Sequence, residues 1–123
     1  MMEKIYMDYG EFSLQVELLT TPAASKLVEI LPQTIAVTRW GEELYGPLSE
    51  PLEVSTPVAA VSPGSIAYSE VGHYLCVFFG QQPAWPIELL GHIADPHRQK
   101  LREATADTIK VRRQHSNKGD GVK

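Results

Sequence analysis

Strict alternation of apolar and polar residues marks the first clear strand. In Phe12-Ser13-Leu14-Gln15-Val16-Glu17-Leu18 every second side chain falls on one apolar face, the pattern of a half-buried strand. Lys4-Ile5-Tyr6-Met7 precedes it, and Asp8-Tyr9-Gly10-Glu11 between the two has turn chemistry, which predicts a hairpin. The period then changes from two to that of a helix. Thr21 can accept from the free N–H groups of a first helical turn, and Pro22 fits the first helical position. Ala23, Ala24, Leu27, Val28 and Leu31 make one apolar face. Pro32 ends the helix, because the residue before a proline is pushed out of the α region.

Strand patterns dominate the chain beyond Pro32. Thr34-Ile35-Ala36-Val37-Thr38-Arg39-Trp40 is rich in β-branched residues and reads as one strand. Gly41 turns it, and Glu43-Leu44-Tyr45 pairs back. Residues 46–57 hold Gly46, Pro47, Pro51 and Pro57 and form the longest predicted loop, a length often tied to function. Val58-Ala59-Ala60-Val61, Ile66-Ala67-Tyr68 and the near-continuous apolar run Tyr74-Leu75-Cys76-Val77-Phe78-Phe79 are predicted strands, the last a central buried one. After a loop from Gly80 to Pro86 come a strand at Ile87–Ile93, a helix from Asp95-Pro96 to about Ala104, and a closing strand at Thr108–Arg112. About eight short strands with two short helices define a mainly β architecture, barrel or sandwich. One domain over residues 1–113 and a polar, disordered tail at 114–123 account for the chain.

Composition narrows the function classes. With 123 residues, 43% apolar and 21% charged, the chain is an ordinary globular domain that can bury a core. It has no apolar run long enough to span a membrane and no apolar leader at the N-terminus. Cys76 is the only cysteine, so no intrachain disulfide forms and the cytoplasm is the expected compartment. Residues 1–94 carry three basic residues (Lys4, Lys26, Arg39) against eleven acidic ones, a net of −8. Residues 95–123 carry eight basic and four acidic residues, a net of +4. An acidic body argues against nucleic acid as a partner. The basic end is read as a solvated face.

The candidate chemistry centres on Arg39, the only arginine before Arg98. Two roles stand open for it: a fixed donor in a cleft, or a structural partner of a carboxylate such as Glu42 or Glu53. Arg39 and Trp40 alternate in direction along a strand, and Trp40 is expected in the core. Tyr45, Tyr68 and Trp85 fall at strand ends or in loops, where they can line a concave site. His73 is expected in a solvent-facing loop and Cys76 as an inert core thiol. His92 and His97 flank Asp95, but zinc wants three or four ligands at distinct spacing, so no metal is expected. No Ser-His-Asp, P-loop or dinucleotide signature occurs, and no cofactor is expected.

The order of elements and three motifs resemble a small prokaryotic family of cyclophilin-like barrel proteins of unsettled function. The motifs are Arg39-Trp40-Gly41-Glu42-Glu43-Leu44-Tyr45, Gly64-Ser65-Ile66-Ala67-Tyr68 and Gly72-His73-Tyr74-Leu75-Cys76-Val77-Phe78-Phe79-Gly80, with Leu89-Leu90-Gly91-His92-Ile93 adding to them. The resemblance covers about residues 3–113 and implies a closed or partly closed β-barrel. True cyclophilins are prolyl isomerases: an arginine on the strand after the first helix donates to the prolyl nitrogen and weakens the amide resonance that sets a barrier of roughly 18–20 kcal/mol. Arg39 is similarly placed, and the resemblance makes Leu44, Tyr45, Phe79 and Trp85 counterparts of the apolar pocket. Where cyclophilins carry a Phe-rich, glycine-rich segment with a glutamine, residues 46–53 read Gly-Pro-Leu-Ser-Glu-Pro-Leu-Glu, and Pro86-Ile87-Glu88 stands where they carry a histidine. The leading expectation is therefore a small-ligand or peptide-binding domain without catalysis, its cleft formed by Arg39, Tyr45, Tyr68, Phe79 and Trp85. The alternative is a peptidyl-prolyl isomerase with Arg39 as the donor. A homo-oligomer built on the long loop or a sheet edge stays open.

Overall fold

A computed structural model of the chain describes residues 3–94 and 98–113. Among these residues nine strands form one antiparallel sheet: β1 (Lys4–Asp8), β2 (Ser13–Leu18), β3 (Gln33–Ala36), β4 (Thr38–Trp40), β5 (Glu43–Pro47), β6 (Ser65–Ser69), β7 (Tyr74–Phe78), β8 (Glu88–Ile93) and β9 (Thr108–Arg113). Their spatial order is β3-β9-β1-β2-β8-β6-β7-β5-β4. Helix α1 (Pro22–Glu29) follows β2, and 3-10 turns lie at Val71–His73 and Arg98–Glu103. The expected mainly β barrel is thus present, nearly closed.

The predicted strand over residues 34–40 is two strands. β3 pairs with β9, whereas β4 pairs with β5, so one extended segment serves both free edges of the sheet. Val37 is the crossing point, and its N–H donates to the Asp107 carbonyl at 2.9 Å. Closure also needs β5 to pass close against β3. A Cβ on Gly46 would lie 2.2 Å from the Ala36 carbonyl oxygen, so only glycine permits the approach.

Two other expectations are corrected. Residues 58–61 form no strand: Val58 makes one isolated bridge with Ile87, and the Val61 N–H and carbonyl are satisfied by the Gln82 side chain at 2.9 and 2.8 Å. A side-chain amide has taken the place of a partner strand. The helix predicted to run to Ala104 is a 3-10 helix over Arg98–Glu103, and its predicted start at Asp95-Pro96 lies outside the described residues, as does the tail at 114–123.

Helix α1 is capped as its sequence dictates. The Thr21 side chain accepts from the Ala24 N–H at 3.1 Å and Pro22 opens the first turn. Its buried residues Ala23, Ala24 and Leu27 join the main core. That core fills the barrel with side chains such as Ile5, Val16, Ile66, Val77, Leu90 and Ile109, so the lumen is packed with side chains. Leu48 and Leu52 from the long loop are buried in it as well.

The strands β5, β6 and β7 are apolar on both faces. Leu75, Val77 and Phe79 point into the barrel, while Cys76 and Phe78 join a second, smaller cluster with Ala67 and Ile87 on the outer face. Tyr45, Val58, Val61 and Tyr74 pack against that cluster. An apolar outer face must be covered, and the segments around residues 54–61 and 80–87 provide the cover.

Candidate functional site

Strand register brings the outward-facing side chains of β4, β5, β7 and β6 into rows. Trp40 pairs with Glu43 across β4–β5, Glu43 with Phe78 across β5–β7, and Phe78 with Ser65 across β7–β6. One row further, Tyr45 pairs with Cys76 and Cys76 with Ala67. The loop Gly80–Pro86 stands over these rows and borders a solvent-open pocket of about 370 Å³. Trp40, Tyr45, Tyr74, Phe78 and Trp85 supply its aromatic walls, with Glu43 and Ser69 among the polar lining residues. That volume lies within the range of small-molecule sites.

The walls are held in place. Trp85 donates its indole N–H to the Ser69 hydroxyl at 2.8 Å, and that hydroxyl donates onward to the Val71 carbonyl at 2.9 Å. The Tyr45 and Tyr74 rings meet edge to face with centroids 4.9 Å apart. The loop carrying Trp85 is tied down at both ends. Gln81 accepts from the Glu42 N–H at 3.2 Å, and Ile87 exchanges both backbone bonds with Val58 at 2.8 and 2.9 Å. Glu88, only 2% exposed, accepts from the N–H groups of Ser55 and Thr56 at 2.9 Å each, which fixes the opposing segment.

The pocket is electrostatically one-sided. Glu43 is 6% exposed, and burial raises its pKa above the usual glutamate value, opposed in part by a hydrogen bond with the Cys76 thiol. Burial and the neighbouring Glu43 charge push the Cys76 thiol well up, so it is neutral and a poor nucleophile. None of the described lining residues is Arg, Lys or His.

The residues singled out from sequence divide between the two faces. Tyr45 and Trp85 line the pocket. Arg39, Tyr68 and Phe79 do not. Tyr68 is fully buried in the barrel core with its hydroxyl 2.7 Å from His73 Nδ1, and Phe79 is 4% exposed in the same core. Arg39 lies over the Phe79 ring at 5.1 Å and donates to the carbonyls of Leu101 at 2.8 Å and Ala104 at 3.0 Å. It caps the end of the 3-10 helix Arg98–Glu103, adding a second donor to the Leu101 carbonyl, which also accepts from the Ala104 N–H at 3.3 Å. Neither expected carboxylate engages it in that arrangement. Glu42 instead pairs with Arg102. Trp40 is the converse correction: it is 48% exposed and lines the pocket, because alternation turned Arg39 toward the barrel side and Trp40 outward. His73 is exposed in the turn Val71–His73, as expected, and its Nδ1 also meets the Tyr68 hydroxyl. Cys76 is buried, as expected. His92 is on β8, while Asp95 and His97 lie outside the described residues.

Glu43, Ser69 and Tyr74 carried no signal strong enough to single them out from sequence. A weaker one was present: Glu43 and Tyr45 flank the inward-facing Leu44, and Tyr74 and Phe78 share the parity of Cys76. Among the described residues no helix is long and apolar enough to cross a membrane, and no group of three His, Cys, Asp or Glu residues is placed to hold a metal ion.

Comparison with known proteins agrees with the barrel. The solution structure of the hypothetical protein AF2241 from Archaeoglobus fulgidus superposes with a TM-score of 0.74 at 22% identity, covering 92% of this chain and 95% of that one. The structure of McbB in complex with tryptophan superposes with a TM-score of 0.69 at 19% identity, covering 97% of this chain but 46% of that one. At these identities the likeness is one of fold. No curated protein matches the chain in sequence. The cyclophilin-like family profile matches residues 3–112, nearly the whole described domain, and the chain therefore belongs to the cyclophilin-like family.

Proposed function

We propose that this domain binds a small organic molecule in the aromatic pocket on the outer face of β4, β5, β7 and β6, without covalent chemistry. One observation carries the reading. The large apolar side chains left exposed among the described residues are Trp40, Val71 and Trp85, and all three line this pocket. Exposed apolar surface gathered in one concavity, rather than scattered, is the mark of a binding site. The fixed indole of Trp85 and the Tyr45–Tyr74 pair support it, because a rigid wall loses little entropy when a ligand arrives. McbB has been solved with tryptophan, a molecule of the aromatic character that such walls suit.

The isomerase alternative has less support. Its donor would have to reach a substrate in the pocket, and Arg39 is directed to the Leu101 and Ala104 carbonyls instead. No basic side chain among the described lining residues replaces it. The neutral Cys76 thiol offers no nucleophile.

Two-dimensional NMR with phenethyl alcohol and phenethylamine as probes tests the binding reading. Shifts concentrated at Tyr45, Ser69, Tyr74 and Trp85, and lost in Trp85→Ala, are the expected result. Shifts spread over the surface, or none at millimolar probe, would overturn it.

A further inference from the structure

The charge pattern narrows the ligand, an inference that rests on the pocket being a binding site. The geometry points to an organic cation as the occupant: a free substituted ammonium compound whose charge sits among the faces of Trp40, Tyr45 and Trp85 and pairs with the Glu43 carboxylate.

Three observations converge on this. First, the described lining residues include five aromatic side chains, one carboxylic acid and no base. Aromatic faces carry the negative part of a quadrupole, so they attract cations, tryptophan most strongly. Second, Glu43 stands in the aromatic row itself. It pairs directly with Trp40 on one side and Phe78 on the other, with Tyr45 two residues along the same face. A charge held against Glu43 is therefore within reach of the rings around it. Third, the cations of the acidic body are placed elsewhere. Lys4 is on β1, on the far side of the sheet order from β5, and Lys26 pairs with Glu50 at 3.2 Å. Arg39 is held on the carbonyls of Leu101 and Ala104. The Cys76 thiol beside Glu43 is a weak donor whose sulfur lies 3.9 Å from the Tyr74 carbonyl oxygen.

A buried carboxylate without a cation is costly to ionise. An arriving ammonium supplies the missing charge, and the aromatic faces offset its loss of water. An anionic ligand meets the opposite situation: Glu43 repels it and no base among the described lining residues receives it. A neutral ring gains from burial alone. The pocket should thus rank ligands of one shape by charge, with the cation first and the anion last.

Both tryptophans of the chain line the pocket, so intrinsic fluorescence of the full chain reports on it directly. Three probes share one ring and one linker: phenethylammonium, phenethyl alcohol and hydrocinnamate. The cation is expected to bind about tenfold more tightly than the alcohol, and the anion more weakly than either. Choline against its uncharged carbon isostere, dimethylbutanol, repeats the comparison without an aromatic ring. Glu43→Gln keeps the side-chain shape and should bring cation and alcohol to within about twofold of each other. Equal binding of alcohol and cation by the wild-type chain, or preference for the anion, would overturn the cation assignment while leaving the pocket as a binding site. No response to any probe would remove the binding reading itself. The wild-type series decides the matter even if Glu43→Gln does not fold.

Discussion

Replacing Arg39 with alanine should cost stability and leave the pocket working. Its guanidinium joins the edge strand β4 to the 3-10 helix Arg98–Glu103 through the Leu101 and Ala104 carbonyls, and its flat face covers the Phe79 ring at 5.1 Å. The two hydrogen bonds come from a single nitrogen on a partly solvated side chain, so together they contribute about 1–2 kcal/mol. Stacking over an aromatic ring at such a site adds about 0.5–1 kcal/mol. Arg39→Ala should therefore destabilise the fold by roughly 1.5–3 kcal/mol, which for a domain of this size lowers Tm by on the order of 5–10 °C. Arg39→Lys keeps a charge near the carbonyls but loses the planar fork, and should fall between the two.

The assay is thermal unfolding by circular dichroism, with phenethylammonium titrated against tryptophan fluorescence in parallel. Arg39 and Trp40 point to opposite faces of β4, so the Arg39 change should alter affinity by less than about twofold. A variant with unchanged Tm and lost binding would refute this reasoning. It would return Arg39 to the cleft where true cyclophilins use their arginine.

Three further changes test other parts of the fold. Glu88→Ala leaves the Ser55 and Thr56 N–H groups without their acceptor and should cost about 2–4 kcal/mol, with amide shifts at residues 54–58 and at Ile87; a change confined to β8 would contradict the role given to Glu88. Tyr9 is 2% exposed, and its hydroxyl has no partner among the described residues, so Tyr9→Phe should raise stability by about 1 kcal/mol in urea unfolding; a comparable loss would mean that the hydroxyl is bonded. Glu43 has a raised pKa when folded, so the folded state binds its proton more tightly than the unfolded chain. Its contribution to stability is greatest below the ordinary glutamate range and is lost as pH rises through the folded value. The stability difference between Glu43→Gln and wild type should accordingly grow from pH 4 toward neutrality in favour of the variant. A constant difference across that range would show that the carboxyl titrates as it does in the unfolded chain.

Local chemistry was legible in the sequence and long-range geometry was not. Thr21-Pro22 announces helix α1 because the cap acts within one turn. The hairpin β1–β2 is equally local, with Lys4 opposite Glu17 and Asp8 opposite Ser13. The break at Val37 is invisible locally, since its cause is two partner strands, β9 and β5, with β9 far off in sequence. The same limit governs the site. Alternation showed that Arg39 and Trp40 face opposite ways, but not which way was in. That depended on the 3-10 helix supplying carbonyls on one side and the loop Gly80–Pro86 building a wall on the other. Tyr45 and Trp85 were found because ring-bearing residues near strand ends commonly line concavities. Glu43 was missed because a glutamate pair beside a turn reads as solvated, and only the register that sets Glu43 between Trp40 and Phe78 buries it.

The filled lumen explains why the proposed site lies outside the barrel. Side chains from every strand but β4 occupy the interior or its ends, and α1 and the Leu48–Leu52 segment add further apolar groups to the same core. A ligand there would have to displace packed side chains, at a cost of several kcal/mol for each cavity the size of a leucine side chain. The outer face of β5, β6 and β7 has no such competition. Its apolar residues are covered by irregular segments, and segments fixed by Gln82, Glu88 and the Val58–Ile87 bridge can stand clear of the sheet without collapsing onto it. The space they leave is bounded on one side by β-strands, which hold Glu43 and Tyr45 at fixed register, and on the other by a loop in which sequence can change without disturbing the core. Under the proposed binding reading, a sheet floor carrying the charge and a loop wall carrying Trp85 would set the class of ligand by the sheet and its shape by the loop. Substitutions at Pro83 and Ala84 should then alter which cation fits, while Glu43→Gln should remove the preference for a cation over a neutral ligand in the same fluorescence titrations.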